Sequence, residues 1–223
     1  MFTHVDCELP KLKRQNIDGA RYYTVNGRPM VSITSVTSHW NKQIFVDWRK
    51  RIGEAEANRI TKRATSRGTA THSLIENHLL NKEVEPDTPG SKMLFKQAIK
   101  TLDNIDNIYA LEKSLYSKEL GVAGTVDCIA EYKGELAIID FKTAAKPKPR
   151  DWIENYFVQA AAYACMFYEL TDIPVKKLVI IMTCENGEVK VYEEYDKKTY
   201  MQKLIKYIEK FITEKLNEYQ EKG

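Results

Sequence analysis

Residues 124–143 read GTVDCIAEYKGELAIIDFKT, two β-prone runs separated by Lys133-Gly134. A two-residue loop ending in glycine connects antiparallel strands. With that turn in place, the pairing follows by counting: Tyr132 faces Glu135, Cys128 faces Ile139, and Asp127 faces Asp140. Directly opposed residues hold their Cβ atoms about 4.5–5.5 Å apart on one sheet face. Two carboxylates placed so closely repel each other, and a divalent cation is their natural counter-charge. Lys142 lies two residues beyond Asp140 and therefore points to the same face. Two carboxylates and an ammonium converge on one spot, the minimum equipment for metal-assisted phosphodiester hydrolysis.

The hairpin also reports on its surroundings. One face carries Val126, Cys128, Ala130, Ala137, Ile139 and Phe141, and the face with the acids still carries Ile129 and Ile138. A strand pair that is apolar on both faces is covered on both. Outward from it, a helix is expected over 92–110 and strands over 112–118, 123–132 and 135–142. An alanine- and aromatic-rich helix follows over 151–170, then a hairpin around Asn186-Gly187, then an amphipathic helix over 197–221. This order predicts an α/β fold with a central mixed sheet flanked by helices.

Upstream, residues 1–30 are polar and irregular apart from a hairpin at Asn26-Gly27. Ser35 or Thr37 is expected to cap a helix. An amphipathic helix over 44–64 carries Arg49, Lys50, Arg51, Arg59, Lys62 and Arg63, and a second runs from Ser66 to Leu80. The loop at 81–91 contains two prolines, a glycine and three acids. It is read as an exposed connection and the best candidate boundary between an N-terminal hairpin and helical elaboration (1–90) and the core (91–223), the two expected to pack as one compact body.

The chain has 223 residues, 43% hydrophobic and 29% charged, with a net charge of +3. That is ordinary for a soluble globular protein and permits a local basic groove without demanding one. None of the four cysteines forms a CxxC pair, so no disulfide framework, structural zinc or iron–sulfur cluster is expected. No run approaches the roughly 18 apolar residues of a membrane span. The N-terminus has no apolar signal core and carries acids. Neither a signal nor a transit peptide is expected, and the cytoplasm is the expected location.

Four motifs in order give the chain a resemblance. Gly68 to Glu76 (GTATHSLIE) fits GxxxHxxxE, Gly124 to Asp127 fits GTxD, Asp140 to Thr143 fits D-F/W-K-T, and Gln159 to Tyr163 fits QxxxY. This set resembles the RecB-like branch of the PD-(D/E)XK nucleases. The run VDCIAEYKGELAIIDFKTAAKPKP is similar to the single-stranded DNA exonucleases of the mitochondrial genome maintenance type and their phage and bacterial relatives. The resemblance implies a restriction-endonuclease-like core and a phage or bacterial setting, with the cytoplasm of a bacterial or phage-infected cell as the location.

Roles follow from the resemblance and from position. Asp127, Asp140, the Phe141 carbonyl and His72 would hold one or two Mg²⁺ or Mn²⁺ ions, which suit carboxylate, carbonyl and water ligands. Lys142 would position or deprotonate the attacking water and stabilise charge growing on the phosphate. Glu76 shares a helix face with His72, as Tyr163 does with Gln159. These four flank the site together with Glu112 and Thr143, with Glu76 and Glu112 as outer partners of the metal ligands. Lys146, Lys148 and Arg150 leave the catalytic strand on a proline-held loop facing backbone phosphates. Arg67 is expected at a helix start that favours phosphate. Trp48, with Trp40, Tyr22 and Tyr23, offers rings for unpaired bases. The expected activity is exonucleolytic cleavage of DNA with a free end, single strands preferred, in replication, repair or recombination and alongside proteins of those processes. The alternatives are a double-strand exonuclease, a structure-specific endonuclease, or a non-catalytic nucleic-acid-binding module.

Overall fold

The computed structural model describes residues 1–85 and 88–220. Pro86 and Asp87 of the acidic loop, and residue 221 at the expected end of the last helix, lie outside the described residues. The chain opens with a three-stranded meander, β1 (Lys13–Ile17), β2 (Ala20–Val25) and β3 (Arg28–Ser32). The Asn26-Gly27 turn is present, with φ of 49° and 79°, and Asp18-Gly19 makes a like turn with φ of 48° and 75°. Two successive positive φ values match the twist of the flanking strands. β1 replaces part of the stretch expected to be irregular. It is exposed along most of its length, so no apolar alternation marks it.

Ser32 caps α1 (Ile33–Trp40) by accepting the Thr34 N–H at 3.3 Å, in place of Ser35 or Thr37. Those two lie inside the helix, where the Thr37 hydroxyl donates back to the Ile33 carbonyl at 3.1 Å. The helix expected over 44–64 is split at Gly53 into α2 (Lys42–Ile52) and α3 (Glu54–Leu79). Gly53 has φ +87°, which a residue with a Cβ rarely adopts. α3 then runs unbroken through Ser66, because Leu74, Ile75 and Leu79 anchor it in the core. α4 (Pro89–Leu102) ends eight residues before its expected limit of 110. The Asn104 side-chain amide donates to the Lys100 and Thr101 carbonyls, satisfying the last turn.

The remaining elements are β4 (Ile105–Ser117), β5 (Val122–Tyr132), β6 (Glu135–Ala144), a 3₁₀ turn (Arg150–Ile153), α5 (Glu154–Thr171), β7 (Lys177–Cys184), β8 (Val189–Glu194) and α6 (Lys197–Gln220). They form an eight-stranded sheet in the order β1-β2-β3-β5-β6-β7-β8, with β4 on β5. β3–β5 and β6–β7 are parallel and the other pairs antiparallel, so the sheet is mixed. Helices cover both faces. Residues of α1, α5 and α6 pack with Ile129 and Ile138 on one side. Residues of α3 and α4 pack with Cys128, Ala130, Ile139 and Phe141 on the other. The alanines of α5 are fully buried, letting that helix lie close to the sheet.

The predicted register holds from Tyr132↔Glu135 to Cys128↔Ile139. Its face assignment needs one correction: Val126 packs with Ile129, not with Cys128. Strict alternation would keep 126 and 128 together. The slip occurs at Asp127, opposite Glu112 in β4, whose φ of 47° breaks the pleat.

Candidate active site

The site lies at a fork in the sheet. Along one edge β5 pairs with β4 from Val122 to Tyr132. Along the other it pairs with β3 at Val122 and Ala123, and with β6 only from Cys128 onward. Gly124 to Asp127 span the interval where β3 and β6 diverge. The ladder thus stops one step short of the acids. Asp127 bridges the opening instead, its Oδ2 accepting the Phe141 N–H at 2.9 Å.

Groups from both helical layers reach this opening. Asp140 and Lys142 form an ion pair, with the Lys142 ammonium 4.9 Å from the ring centre of Tyr156 on α5. From α3, His72 Nδ1 stands 3.7 Å from Asp127 Oδ2, too far for a hydrogen bond, and its ring meets Phe141 edge-on. One donor atom each from His72, Glu112 and Asp127 lies within 4.8 Å of the others. Glu112 thereby stands among the metal-capable groups, closer in than the outer partner expected from sequence.

The electrostatics of the cluster follow from burial and like charge. Asp140, with a side chain only 3% exposed, is pushed up to about 6 by burial and by the Asp127 charge, against the pull of Lys142. Glu112 is raised to about 8 by burial, then by Asp127, Glu76 and Asp140. Glu112 is exposed as a residue, so the three neighbouring carboxylates are the firmer cause. Burial lowers Lys142, but the charges of Asp140 and Asp127 outweigh it and hold the ammonium protonated. Asp140 Oδ2 is buried, and the Lys142 ammonium is its partner. An acid-rich cluster with one imidazole, in which the carboxylates of Glu112, Asp127 and Asp140 outnumber the single ammonium of Lys142, fits a divalent cation.

The motif residues that flank the acids act through packing. Tyr163 is 1% exposed and lies against Gly124. A Cβ on Gly124 would stand 2.7 Å from Tyr163 Cε1 and 2.9 Å from Ile33 Cγ2. Gly124→Ala is therefore expected to destabilise the protein by about 1–3 kcal/mol, as overpacking of a filled core does. Urea unfolding checks this, and the cost of Gly124→Ala should be smaller when measured in a Tyr163→Ala background. Gln159 is buried and its amide lies 3.4 Å from the Tyr163 hydroxyl. Gly68 on α3 faces Thr143 of β6, where a Cβ would meet Thr143 Oγ1 at 3.5 Å. Glu76 lies on α3 within electrostatic reach of Glu112.

Two of the expected phosphate contacts are already engaged. Arg67 sits in the middle of α3, not at a helix start, and is ion-paired with Glu185. Arg150 pairs with Glu194 at 2.7 Å, donates to the Tyr200 hydroxyl at 2.6 Å and covers the Phe157 ring. Both lost their expected freedom to acids far away in sequence. Lys146 is exposed, and Lys148 donates to the Tyr156 hydroxyl at 3.0 Å. Trp48 is half-buried on α2 and stacks on Phe45, whereas Trp40 stacks on Tyr207 and Tyr23 is buried. Tyr156 escaped the sequence reading. Its spacing to Gln159 and Tyr163 (i, i+3, i+7) was the available signal, since it places all three on one helix face.

Comparison with known proteins adds a family. A family model described as the PD-(D/E)XK nuclease superfamily matches residues 91–221. The mitochondrial genome maintenance exonuclease 1 of Xenopus tropicalis is 34% identical over 157 residues, covering 65% of this chain and 44% of that protein. Its Homo sapiens counterpart is 31% identical over 134 residues, 55% of this chain and 38% of that protein. The Mus musculus protein is 42% identical over 64 residues, 28% of this chain and 19% of that protein. The chain thus spans less than half the length of each of these relatives. The resemblance read from the motifs holds. The bacterial or phage-infected cytoplasm expected above is overturned, because these curated relatives are named for the mitochondrial genome.

Proposed function

Because the chain belongs to the PD-(D/E)XK nuclease superfamily, we propose that it is a divalent-metal-dependent deoxyribonuclease that removes nucleotides from DNA ends, with single strands preferred. The observation that carries this reading is the convergence of Asp127, Asp140 and Lys142 at the sheet fork, with His72 and Glu112 brought in from two other elements. The end-directed mode is supported by the printed name of the curated relatives, which are exonucleases.

Asp127, Asp140, His72 and Glu112, with the Phe141 carbonyl, would hold one or two Mg²⁺ or Mn²⁺ ions. A bound ion of this kind supplies Lewis-acid polarisation of the scissile phosphate and neutralises charge that develops there. The protein's own part is positional. Lys142 presents an ammonium that orients the attacking water and stabilises charge growing on the phosphate oxygens. Water adds to phosphorus and loses a proton. The bond to the 3′ oxygen breaks and that oxygen is protonated, leaving 5′-phosphate and 3′-hydroxyl ends. Lys146 and Lys148, leaving the catalytic strand directly, would pair with the phosphates next to the scissile one. Arg67 would contribute by tying α3 to Glu185 beyond β7, and Arg150 by holding the basic loop at the start of α5.

A linear and a circular single strand of the same sequence, incubated with Mg²⁺ or Mn²⁺, test the end requirement. The linear strand is expected to be degraded while the circle persists. Equal rates on both would establish an endonuclease instead, and no loss of either, with DNA still bound, would leave a non-catalytic binding module.

A further inference from the structure

Tyr156 carries contacts that the mechanism above does not use. It stands in the first turn of α5 and is half-buried against the core. Its ring centre lies 4.9 Å from the Lys142 ammonium and 5.4 Å from the Lys148 ammonium. Its hydroxyl accepts a hydrogen bond from Lys148 Nζ at 3.0 Å. One aromatic ring thus serves the lysine of the catalytic strand and a lysine of the basic loop together.

The platform is rigid. Just before α5, Arg150 is fixed between Glu194, the Tyr200 hydroxyl and the face of Phe157, 3.7 Å from its ring centre. The basic loop is held from another side by the Tyr192 hydroxyl, which donates to the Lys148 carbonyl at 2.6 Å. A lysine side chain is a flexible four-carbon stem with a point charge at its end. Asp140 alone leaves that stem free to swing about a single contact. A ring within about 6 Å of the ammonium adds a second attraction, strongest where water is scarce. The Lys142 side chain is only 22% exposed.

We propose that Tyr156 is a positioning residue with two separable roles: its ring aims the Lys142 ammonium at the reacting phosphate, and its hydroxyl tethers Lys148 where the neighbouring phosphate docks. The inference rests on the nuclease reading above. It predicts a division between kinetic parameters. Tyr156→Phe keeps the ring, so kcat should stay within about twofold of the unmodified protein. Loss of the tether, which is only part-buried, should raise KM about threefold to tenfold, the range of an ordinary hydrogen bond. Tyr156→Leu removes both contacts and should lower kcat by about tenfold as well as raising KM.

Steady-state cleavage of a labelled single strand with Mn²⁺ reads the division. NMR of protein labelled with ¹³C at the lysine ε carbons reads the contact without any activity. The Lys142 ε-CH₂ signal should be ring-shifted in the unmodified protein and in Tyr156→Phe, and should return to the ordinary lysine position in Tyr156→Leu. An unshifted Lys142 signal in the unmodified protein overturns the inference, and so does an unchanged kcat in Tyr156→Leu. An equal fall of kcat in both variants assigns the effect to the hydroxyl and also overturns it. If the unmodified protein cleaves nothing, the nuclease reading fails on its own, and the NMR arm still decides whether the ring holds Lys142.

Discussion

Lys142→Ala should lower the rate of DNA cleavage by about 10²–10⁴-fold, the range spanned by loss of a positioned acid–base or charge-stabilising group. The expectation follows from placement. The ammonium is paired with Asp140, packed over Tyr156 and held in its charged form by two carboxylates. DNA binding should persist, because Lys146 and Lys148 remain on the loop that follows. Fluorescence anisotropy with a chelator present measures binding apart from cleavage. The fold should tolerate the change. Removing the lysine leaves Asp140 without its partner, but burial and the Asp127 charge then push that carboxyl further up, toward its neutral form. A variant that is folded, binds DNA and cleaves at the full rate would exclude Lys142 from the chemistry.

Neutralising the acids should abolish metal binding in a graded way. Calorimetric titration with Mn²⁺ is the direct measurement. Asp127→Asn is expected to weaken binding by at least about 100-fold, the upper end of what loss of an outer partner alone does. Asp140→Asn should weaken it less. Asp127 lies within reach of both His72 and Glu112, whereas Asp140 is turned toward Lys142 on the α5 side. His72→Ala and Glu112→Gln extend the series from the α3 and β4 sides. Cleavage should fall with affinity and should not recover at high Mn²⁺ in Asp127→Asn. Unchanged Mn²⁺ affinity in both aspartate variants would place the metal elsewhere.

The features legible in the sequence were the short-range ones. The Lys133-Gly134 turn located β5 against β6, and counting through it placed Cys128 opposite Ile139. The apolar residues on both faces of that hairpin indicated two covering layers, and both are present. Local reading failed where a distant contact decided the outcome. Ser66 looks like a helix start, but Leu74, Ile75 and Leu79 are anchored in the core and Gly68 fits against Thr143, so α3 runs through it. Residues 103–110 continue a helical pattern, but β5 supplies a ladder for them and the helix stops. Glu112 was read only as an outer acid at the start of a strand, while its distinguishing features are a left-handed φ and a place opposite Asp127, neither of which its own neighbours in sequence announce.

What the sequence determined by itself is the spacing along one hairpin. A two-residue turn leaves a single register, and strand alternation then puts Asp140 and Lys142 on one face. The tertiary structure decided what meets them there. The divergence of β3 and β6 opens the sheet at Gly124 to Asp127, and through that opening α3 delivers His72, β4 delivers Glu112 and α5 delivers Tyr156. The same packing neutralised Arg67 with Glu185 and Arg150 with Glu194. Each of these partners lies tens of residues away along the chain. Their meeting depends on how whole layers pack, which no local periodicity encodes.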